Sequence, residues 1–226
     1  MMQLYKLPDT VLSIKALKVA GSADQKTGNF ASGFLKGITS NTLDAPLNAF
    51  LNQHGRIIAT FRQTRISDDE FLISVPTLAV DVLLKHLERY VKLSHVSLVP
   101  SGHCAYIDLG SLQTVWTSED VVNSISDEEF TFFRLDHKIP LMGIDYQADE
   151  FILNVHEHEY VSYTKGCFLG QEPVAKVHNR AQPSRRLIVA FEDQCSPEDA
   201  ARMTSKVLDH PTGRVKGFVF VSNKPS

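Results

Sequence analysis

Cysteine is scarce in this sequence, and its spacing argues against several kinds of site. The chain has three cysteines in 226 residues, Cys104, Cys167 and Cys195, and no C-x-x-C pair. An odd number of widely spaced cysteines indicates neither a disulfide framework nor a zinc ribbon. The close pair His156 and His158 lacks a defined third ligand, so we expect no metal site.

Long apolar runs and a large charge of one sign are also missing. No segment approaches the roughly 20 apolar residues that cross a bilayer. The N-terminus has neither a basic segment followed by an apolar run nor the Arg/Ser-rich pattern of a transit peptide. A net charge of −3 gives no reason to expect binding to nucleic acid or to acidic membranes. We therefore expect a cytoplasmic protein without direct nucleic-acid or membrane partners.

The composition that is present suits a globular chain of one large domain or two small ones. Hydrophobic residues make up 43% of the chain and charged residues 22%. Helix-like and strand-like segments alternate irregularly with hairpin-like pairs, which favours an α+β fold over a doubly wound parallel sheet. After residue 180 two strand-like segments flank a polar stretch, which predicts a small C-terminal β unit.

Hydrophobic periodicity predicts the individual elements. The predicted helices are 29–40 and 76–93, with a further helix starting at an N-cap at Ser118. The predicted strands are 13–21, 54–66 paired with 70–75, 95–100 paired with 103–110, 129–140, 185–191 and 213–223.

The stretch "TKGCFLGQEPVAKVHNR" at 164–180 contains the main candidate site. Gly166 and Gly170 flank Cys167, and glycines permit a tight turn and close approach of a ligand to the backbone. The ammonium of Lys165 favours a neighbouring thiolate. A helix start after the motif would add amides that favour an anion. These features leave open a reactive thiol and a buried small hydrophobe, and the nine histidines offer a catalytic base that spacing alone does not identify.

The remaining residues around the cysteines have simpler interpretations. Cys104 is expected in the core of a strand, and Cys195 in an exposed polar loop. Gln171 and Glu172 follow the tight turn directly, so we expect their side chains to accept its unpaired N–H groups.

Residues 165–172, Lys-Gly-Cys-Phe-Leu-Gly-Gln-Glu, resemble the K-G-C-[FY]-x-G-Q-E signature of the YgfZ-type folate-binding proteins. These proteins are relatives of the glycine-cleavage aminomethyltransferase (T-protein). Similarity continues in "EPVAKVHNRAQPSRRL", "KVAGSADQKTGNFASGFLKGITSNTL", "NQHGRIIATF" and "FFRLDHKIPLMGID". The resemblance therefore covers most of residues 11–190.

The resemblance implies a fold and a function. The implied fold is an aminomethyltransferase-like ring of subdomains around a folate channel over residues 1–185, with 186–226 as a truncated β-barrel-like unit. The implied function is that of an accessory factor, binding tetrahydrofolate, for the assembly or repair of iron–sulfur clusters. Its partners would be reduced folate and iron–sulfur client or assembly proteins, including enzymes of tRNA modification.

The resemblance also implies roles for particular residues. A folate needs a flat apolar slot, a few hydrogen-bonding groups and cations for its glutamate tail. Cys167 would be the reactive centre. The implied binding residues are Lys165, Gly166, Gly170, Gln171 and Glu172 around it, Asn154, Arg134 and Asp136 for the pterin, and Arg56, Lys176 and Arg180 for the carboxylates.

Three departures from the family pattern weaken the expectation of a catalyst. In aminomethyltransferases the hairpin reads G-G-I-I-D-D with a catalytic first aspartate, whereas Ala59 and Thr60 stand in that register here. Aminomethyl transfer needs an acid or base beside the folate nitrogen. Lys176 replaces an arginine, and the C-terminal unit is about half the usual length. A one-carbon transferase that uses Cys167 and a cysteine hydrolase remain alternative hypotheses.

Overall fold

The computed structural model describes residues 2–17, 31–156, 158–180 and 182–223. The strands are β1 (Leu4–Lys6), β2 (Asp9–Ala16), β3 (Leu47–Leu51), β4 (Ile57–Ser67), β5 (Glu70–Pro76), β6 (Val96–Pro100), β7 (Cys104–Asp108), β8 (Thr114–Thr117), β9 (Arg185–Phe191), β10 (Thr204–Asp209) and β11 (Arg214–Ser222). The helices are α1 (Ala31–Ile38), α2 (Val80–Ser94), α3 (Asp127–Asp136), α4 (Ile152–Val155), α5 (Gln171–Arg180) and α6 (Pro197–Ala201). Helices and antiparallel sheets are mixed, as expected for an α+β fold.

A five-stranded antiparallel sheet with the order β3-β4-β5-β2-β6 lies at the centre. Successive side chains of a strand point to opposite faces, so the pairing register assigns each residue to a face. Leu12 lies opposite Ile73 and Ile14 opposite Phe71. These residues belong to one buried cluster with side chains of α1 and α2, including Leu83. One face of the sheet is therefore closed by the two helices.

The opposite face of the central sheet meets a second sheet and α3. The second sheet has the order β1-β7-β8. Val11 and Leu72 from the central sheet share a buried cluster with Tyr5, Ile107 and Phe130. The rings of Tyr5 and Phe130 stack with centroids 3.6 Å apart.

The C-terminal β unit is a three-stranded sheet with the order β10-β11-β9. Val207 and Phe218 of this sheet form a small buried cluster with Leu135 of α3. Beneath it, Arg134 and Asp145 form a buried ion pair with an N–O distance of 2.7 Å. The predicted strands at 185–191 and 213–223 are confirmed, whereas β10 and α6 lie in the polar stretch between them, for which no element was predicted.

The prediction of a strand at 129–140 is wrong, because that segment begins as helix α3. Ser126 and Glu129 form a capping box, in which the Ser126 side chain accepts from the Glu129 N–H and the Glu129 carboxylate accepts from the Ser126 N–H. This local start signal outweighs the strand propensity of the aromatic run. The helix start predicted at Ser118 is also wrong, since residues 118–125 contain no helix and Ser126 is the true N-cap.

Two hairpins were predicted, and only one forms. β4 pairs with β5 around the turn at 68–69, as expected. β6 and β7, however, join different sheets, because β6 pairs with β2 and β7 pairs with β1 and β8. The helix predicted at 76–93 is confirmed as α2 from residue 80 onward, whereas Pro76 ends β5 and Thr77–Ala79 forms a short 3₁₀ turn. The predicted strand at 13–21 and helix at 29–40 lie partly outside the described residues. Within the described ranges, no helix is long and apolar enough to cross a membrane.

Candidate functional site

The motif loop at 164–170 packs against the turn between β3 and β4. Gly170 has a φ of +83°, and a Cβ there would overlap the carbonyl oxygen of Asn52. Gly55 in that turn has a φ of +72°, and a Cβ there would come within 2.9 Å of side chains of Phe151 and Val174. Both positions therefore require glycine, which tolerates positive φ and close backbone approach. The contact places the start of α5 directly beside the hairpin turn.

Other expectations for the motif loop differ from the structure. A Cβ on Gly166 would meet no described heavy atom within 4 Å, so the steric requirement expected for both glycines applies only to Gly170. The Gln171 N–H donates to the Phe168 carbonyl at 3.1 Å. Within the described part of the chain, the side chains of Gln171 and Glu172 form no hydrogen bond to the loop. Backbone contacts, rather than these side chains, shape the turn.

Cys167 is exposed and lies at the edge of a cavity of about 440 Å³, here called the loop cavity. The lining residues of the loop cavity are Lys36, Gly37, Asn41, Thr42, Leu43, Asp44, Arg65, Lys165, Gly166 and Cys167. The lining combines a thiol with three basic side chains and one carboxylate. This arrangement leaves the thiol accessible from solvent.

The ammonium of Lys165 is bound by two backbone carbonyls. Its Nζ donates to the Thr39 oxygen at 2.5 Å and to the Asn41 oxygen at 3.0 Å, just after the end of α1. The ammonium also lies 5.1 Å from the ring centroid of Phe168. Burial lowers the pKa of Lys165 to about 8. Lys165 therefore ties the motif loop to the end of α1.

The other two cysteines are half-buried. Cys104 lies in β7, as expected, but on its partly exposed side. The Cys195 thiol donates to the Phe191 carbonyl with a 3.4 Å separation, so this residue is less exposed than expected. Burial and the carboxylates of Asp199 and Asp193 raise the pKa of the Cys195 thiol.

Asn154 is buried in α4, next to an ion pair. Its Nδ2 donates to Glu150 Oε1 at 2.6 Å, and the other Glu150 oxygen binds the Arg185 guanidinium. Asn154 Oδ1 is buried and has no hydrogen-bond partner among the residues that the structure describes. Neither this residue nor its partners are among the lining residues of the loop cavity.

The three cations expected to bind carboxylates lie on the surface. Arg56 donates to the Asp149 carbonyl at 2.7 Å. Lys176 and Arg180 are exposed on α5, four residues apart and therefore on one face of the helix. None of the three lines the loop cavity.

The two residues expected from the R-x-E segment lie on the side of the C-terminal sheet. Arg134 is buried and donates to Asp145, to the Ile139 carbonyl and to Ser205 Oγ. Asp136 is exposed and binds Lys216 of β11 at 2.6 Å. The structure therefore separates this pair from Cys167 and its loop.

A second cavity of about 200 Å³, here called the sheet cavity, was missed by the sequence analysis. Its lining residues are Leu7, Pro8, Asp9, Thr60, Phe61, Arg62, Ser74, Pro76, Leu78, Ile139, Pro140, Leu141, Met142, Ile144, Tyr146 and Tyr160. These residues come from β2, β4 and β5, from the segments beside β2 and β5, from the segment 139–146 and from Tyr160, so no local motif indicates the site. Apolar walls with a few convergent polar groups are typical of small-molecule sites.

A chain of hydrogen bonds borders the sheet cavity. Thr60 Oγ1 and the Tyr146 hydroxyl are 2.7 Å apart, and the same hydroxyl lies 3.3 Å from His156 Nε2. Burial lowers the pKa of His156, and the nearby Glu159 carboxylate only partly opposes this effect. Among the described residues, no group of three or more His, Cys, Asp or Glu side chains is arranged to hold a metal ion.

The register of β4 separates the two residues that stand where aminomethyltransferases have aspartates. Ala59 is completely buried and belongs to the cluster on the helix face of the sheet. Thr60 points to the opposite face and lines the sheet cavity. Neither supplies a carboxylate to the cavity, although Asp9 does so from β2.

No protein-family model matches the chain. Among solved structures, the glycine cleavage system aminomethyltransferase T from Bartonella henselae is similar, with a TM-score of 0.66 and 12% sequence identity. The alignment covers 98% of this chain and 78% of that chain. At this identity the similarity concerns the fold and not the activity. The chain has an aminomethyltransferase-like fold.

Proposed function

We propose that this protein is a cytoplasmic folate-binding accessory factor that supports iron–sulfur cluster assembly or repair in client enzymes, including enzymes of tRNA modification. The observation that carries the proposal is the aminomethyltransferase-like fold over nearly the whole chain. The motif loop, which resembles the YgfZ-type signature, adds the finer assignment. Residues 1–185 would bind tetrahydrofolate, and residues 186–226 would support that region.

Aminomethyl transfer is not part of the proposal. Transfer needs an acid or base at the folate nitrogen, and β4 offers only Ala59 and Thr60 at the relevant register. Wild-type protein, incubated with aminomethylated carrier protein and tetrahydrofolate, should form methylenetetrahydrofolate no faster than the uncatalysed reaction. Turnover above that rate would support the one-carbon transferase instead.

Cys167 is the proposed functional centre of the accessory role. Its exposure at the loop cavity makes the thiol reachable by a protein partner. The basic side chain of Lys36 in the same lining suits an anionic partner group, whereas Arg65 already pairs with Asp44 and Asp68. A cysteine hydrolase is less well supported, because no histidine lines the loop cavity among the described residues.

The deciding experiment combines folate binding with complementation. Isothermal titration of wild-type protein with tetrahydrofolate should give a saturable signal, and the absence of both heat and thermal shift at about 1 mM ligand would reject folate binding. In cells that lack the native factor, Cys167→Ser should fold normally and fail to restore iron–sulfur enzyme activity. Cys195→Ser is the matched control and should restore it. Full complementation by Cys167→Ser would reject the role of the thiol.

A further inference from the structure

The sheet cavity contains one carboxylate, that of Asp9 at the start of β2. In the antiparallel register Asp9 lies opposite Pro76, and its Oδ2 accepts a hydrogen bond of 2.6 Å from Ser74 Oγ on β5. The Ser74 hydroxyl on the neighbouring strand therefore orients the carboxylate. Among the described residues, Asp9 Oδ1 has no hydrogen-bond partner, and the residue lines the cavity.

Asp9 has little charge compensation in this position. Arg62 also lines the cavity, but its Nη1 donates to Thr114 Oγ1 at 3.3 Å. The guanidinium acts on the carboxylate only through space, and burial raises the pKa of Asp9 despite it. Asp9 is only half-buried as a residue, so its unpaired carboxylate lone pairs are accessible to a ligand that enters the cavity. Such a group is understandable if a ligand completes its hydrogen bonds.

The walls of the sheet cavity suit a flat ring. Tyr160 lines one side, with its ring 4.0 Å from that of His156. Leu78 and Met142 add apolar surface. The volume of about 200 Å³ is below the roughly 300–1,000 Å³ of sites that enclose a drug-sized ligand. The cavity therefore matches the head of a folate, with the benzoyl-glutamate tail outside.

We propose that Asp9 anchors the pterin of a folate in the sheet cavity by accepting two parallel hydrogen bonds, from N3–H and from the 2-amino group of the pyrimidinone ring. This inference rests on the proposed folate binding and adds where the head group binds and which residue recognises it. The two carboxylate oxygens match two adjacent N–H donors, as in other bidentate carboxylate contacts. Oδ2 keeps a lone pair free while it accepts from Ser74.

Two further polar groups of the sheet cavity could bind the part of the pterin ring that Asp9 does not contact. The paired hydroxyls of Thr60 and Tyr146 can donate to or accept from ring heteroatoms. The carboxylate of Asp136, which the sequence comparison suggested as a pterin contact, is instead exposed and bound to Lys216. In this proposal the carboxylate that binds the pterin is therefore that of Asp9 on β2, and not that of Asp136 on α3.

Titration calorimetry with Asp9→Asn tests the assignment. Asparagine keeps the shape and one acceptor but turns an amide donor toward the ligand. Loss of a charged bidentate contact should raise the Kd for tetrahydrofolate about 10- to 100-fold. Asp69→Asn, the same change at an exposed turn between β4 and β5, should bind like wild type. Tight binding by wild type and equal binding by Asp9→Asn would overturn the inference while leaving folate binding intact.

A change in the ligand tests the same contact without any variant. A tetrahydrofolate analogue with a methyl group in place of the 2-amino group should bind wild type about 10- to 100-fold more weakly than tetrahydrofolate. Asp9→Asn should discriminate less between the two ligands, because the partner of the amino group has changed. Equal discrimination by both proteins would assign the amino group to another residue. No binding of tetrahydrofolate by wild type would reject the proposed function itself.

Discussion

Gly170 packs directly on Gly55, so that a Cβ on Gly170 would come within 3.3 Å of the Gly55 Cα atom. The two glycines belong to segments more than one hundred residues apart in the sequence. Their contact joins the cysteine motif to the hairpin turn at the end of β3. Gly170 in the cysteine motif is therefore required for packing of the fold, in addition to any role of the motif in binding a ligand.

Replacing Gly170 by alanine should destabilise the protein. The new Cβ would overlap the Asn52 carbonyl oxygen, and alanine is strained at the φ of +83°. We expect a loss of about 2–4 kcal/mol in the free energy of unfolding, measured by urea denaturation. Gly166→Ala is the control, because open space surrounds that position. Similar stabilities for the two variants would contradict this packing.

Breaking the buried ion pair should be costly. Arg134 and Asp145 have side chains that are 3% and 0% exposed, so removing one partner leaves the other charge buried without compensation. Arg134→Met should lose about 3–5 kcal/mol in the free energy of unfolding. The double variant with Asp145→Asn should lose less than the sum of the single changes. Strict additivity in a double-mutant cycle would argue against direct coupling.

Cys167 should be the first cysteine to react with an alkylating reagent in the native protein. It is exposed, whereas Cys104 and Cys195 are half-buried. The raised pKa of the Cys195 thiol further slows its reaction, because the thiolate is the reactive form. Mass spectrometry of peptides after a short exposure to iodoacetamide gives the order. Earlier modification of either other cysteine would contradict the described exposure.

Lys165 should change stability at alkaline pH. Its pKa is about 8 in the folded protein, against an ordinary value of 10.5. Between these values the unfolded chain binds the proton more strongly, so raising the pH favours the folded state. Wild type should therefore gain stability relative to Lys165→Met as the pH rises from about 8 toward 10. A constant difference across this range would show that Lys165 titrates normally.

The pH dependence of Asp9 should have the opposite sign. Burial raises its pKa, so the folded protein binds the proton more strongly than the unfolded chain does. Stability from this group is complete at low pH and is lost as the pH rises through the folded-state pKa. The free energy of unfolding of Asp9→Asn should thus increase relative to that of wild type as the pH rises from about 4 to about 7. If Asp9→Asn instead lost stability relative to wild type over this range, the raised pKa of the carboxyl would be contradicted.

The sequence predicted an element correctly where its hydrophobic periodicity and its start and stop residues indicate the same structure. α2 has consistent helical periodicity and basic residues near its end, and β4 and β5 alternate around a polar turn. The proline expected to open α2 instead ends β5. In α3 the signals conflict, because an aromatic run that favours strand follows a capping box. The capping box decides the outcome, and the spacing of Ser126 and Glu129 was available in the sequence.

The sheet cavity could not be predicted in the same way. Asp9, Thr60 and Tyr146 are distant in sequence. The pairing of β2, β4 and β5 brings Asp9 and Thr60 onto one sheet, and the segment 139–146 adds Tyr146 through its hydrogen bond with Thr60. The resemblance directed attention to Ala59, whereas the strand register shows that its neighbour Thr60 faces the cavity. In the sequence, the sheet cavity was indicated only by the polar residue Thr60, which follows Ala59 at the expected catalytic position.

Through the buried Arg134–Asp145 pair, the C-terminal sheet supports the wall of the sheet cavity, although no residue of that sheet is among the cavity's described lining residues. Asp145 lies within the segment 139–146 and accepts hydrogen bonds from Thr204 and Ser205 of β10. It also accepts from the N–H of Leu141, which lines the sheet cavity. Loss of the contacts between β10 and Asp145 would therefore free the segment that forms one wall of the cavity. Substitutions that remove the Thr204 or Ser205 hydroxyl should weaken ligand binding more than they lower the free energy of unfolding.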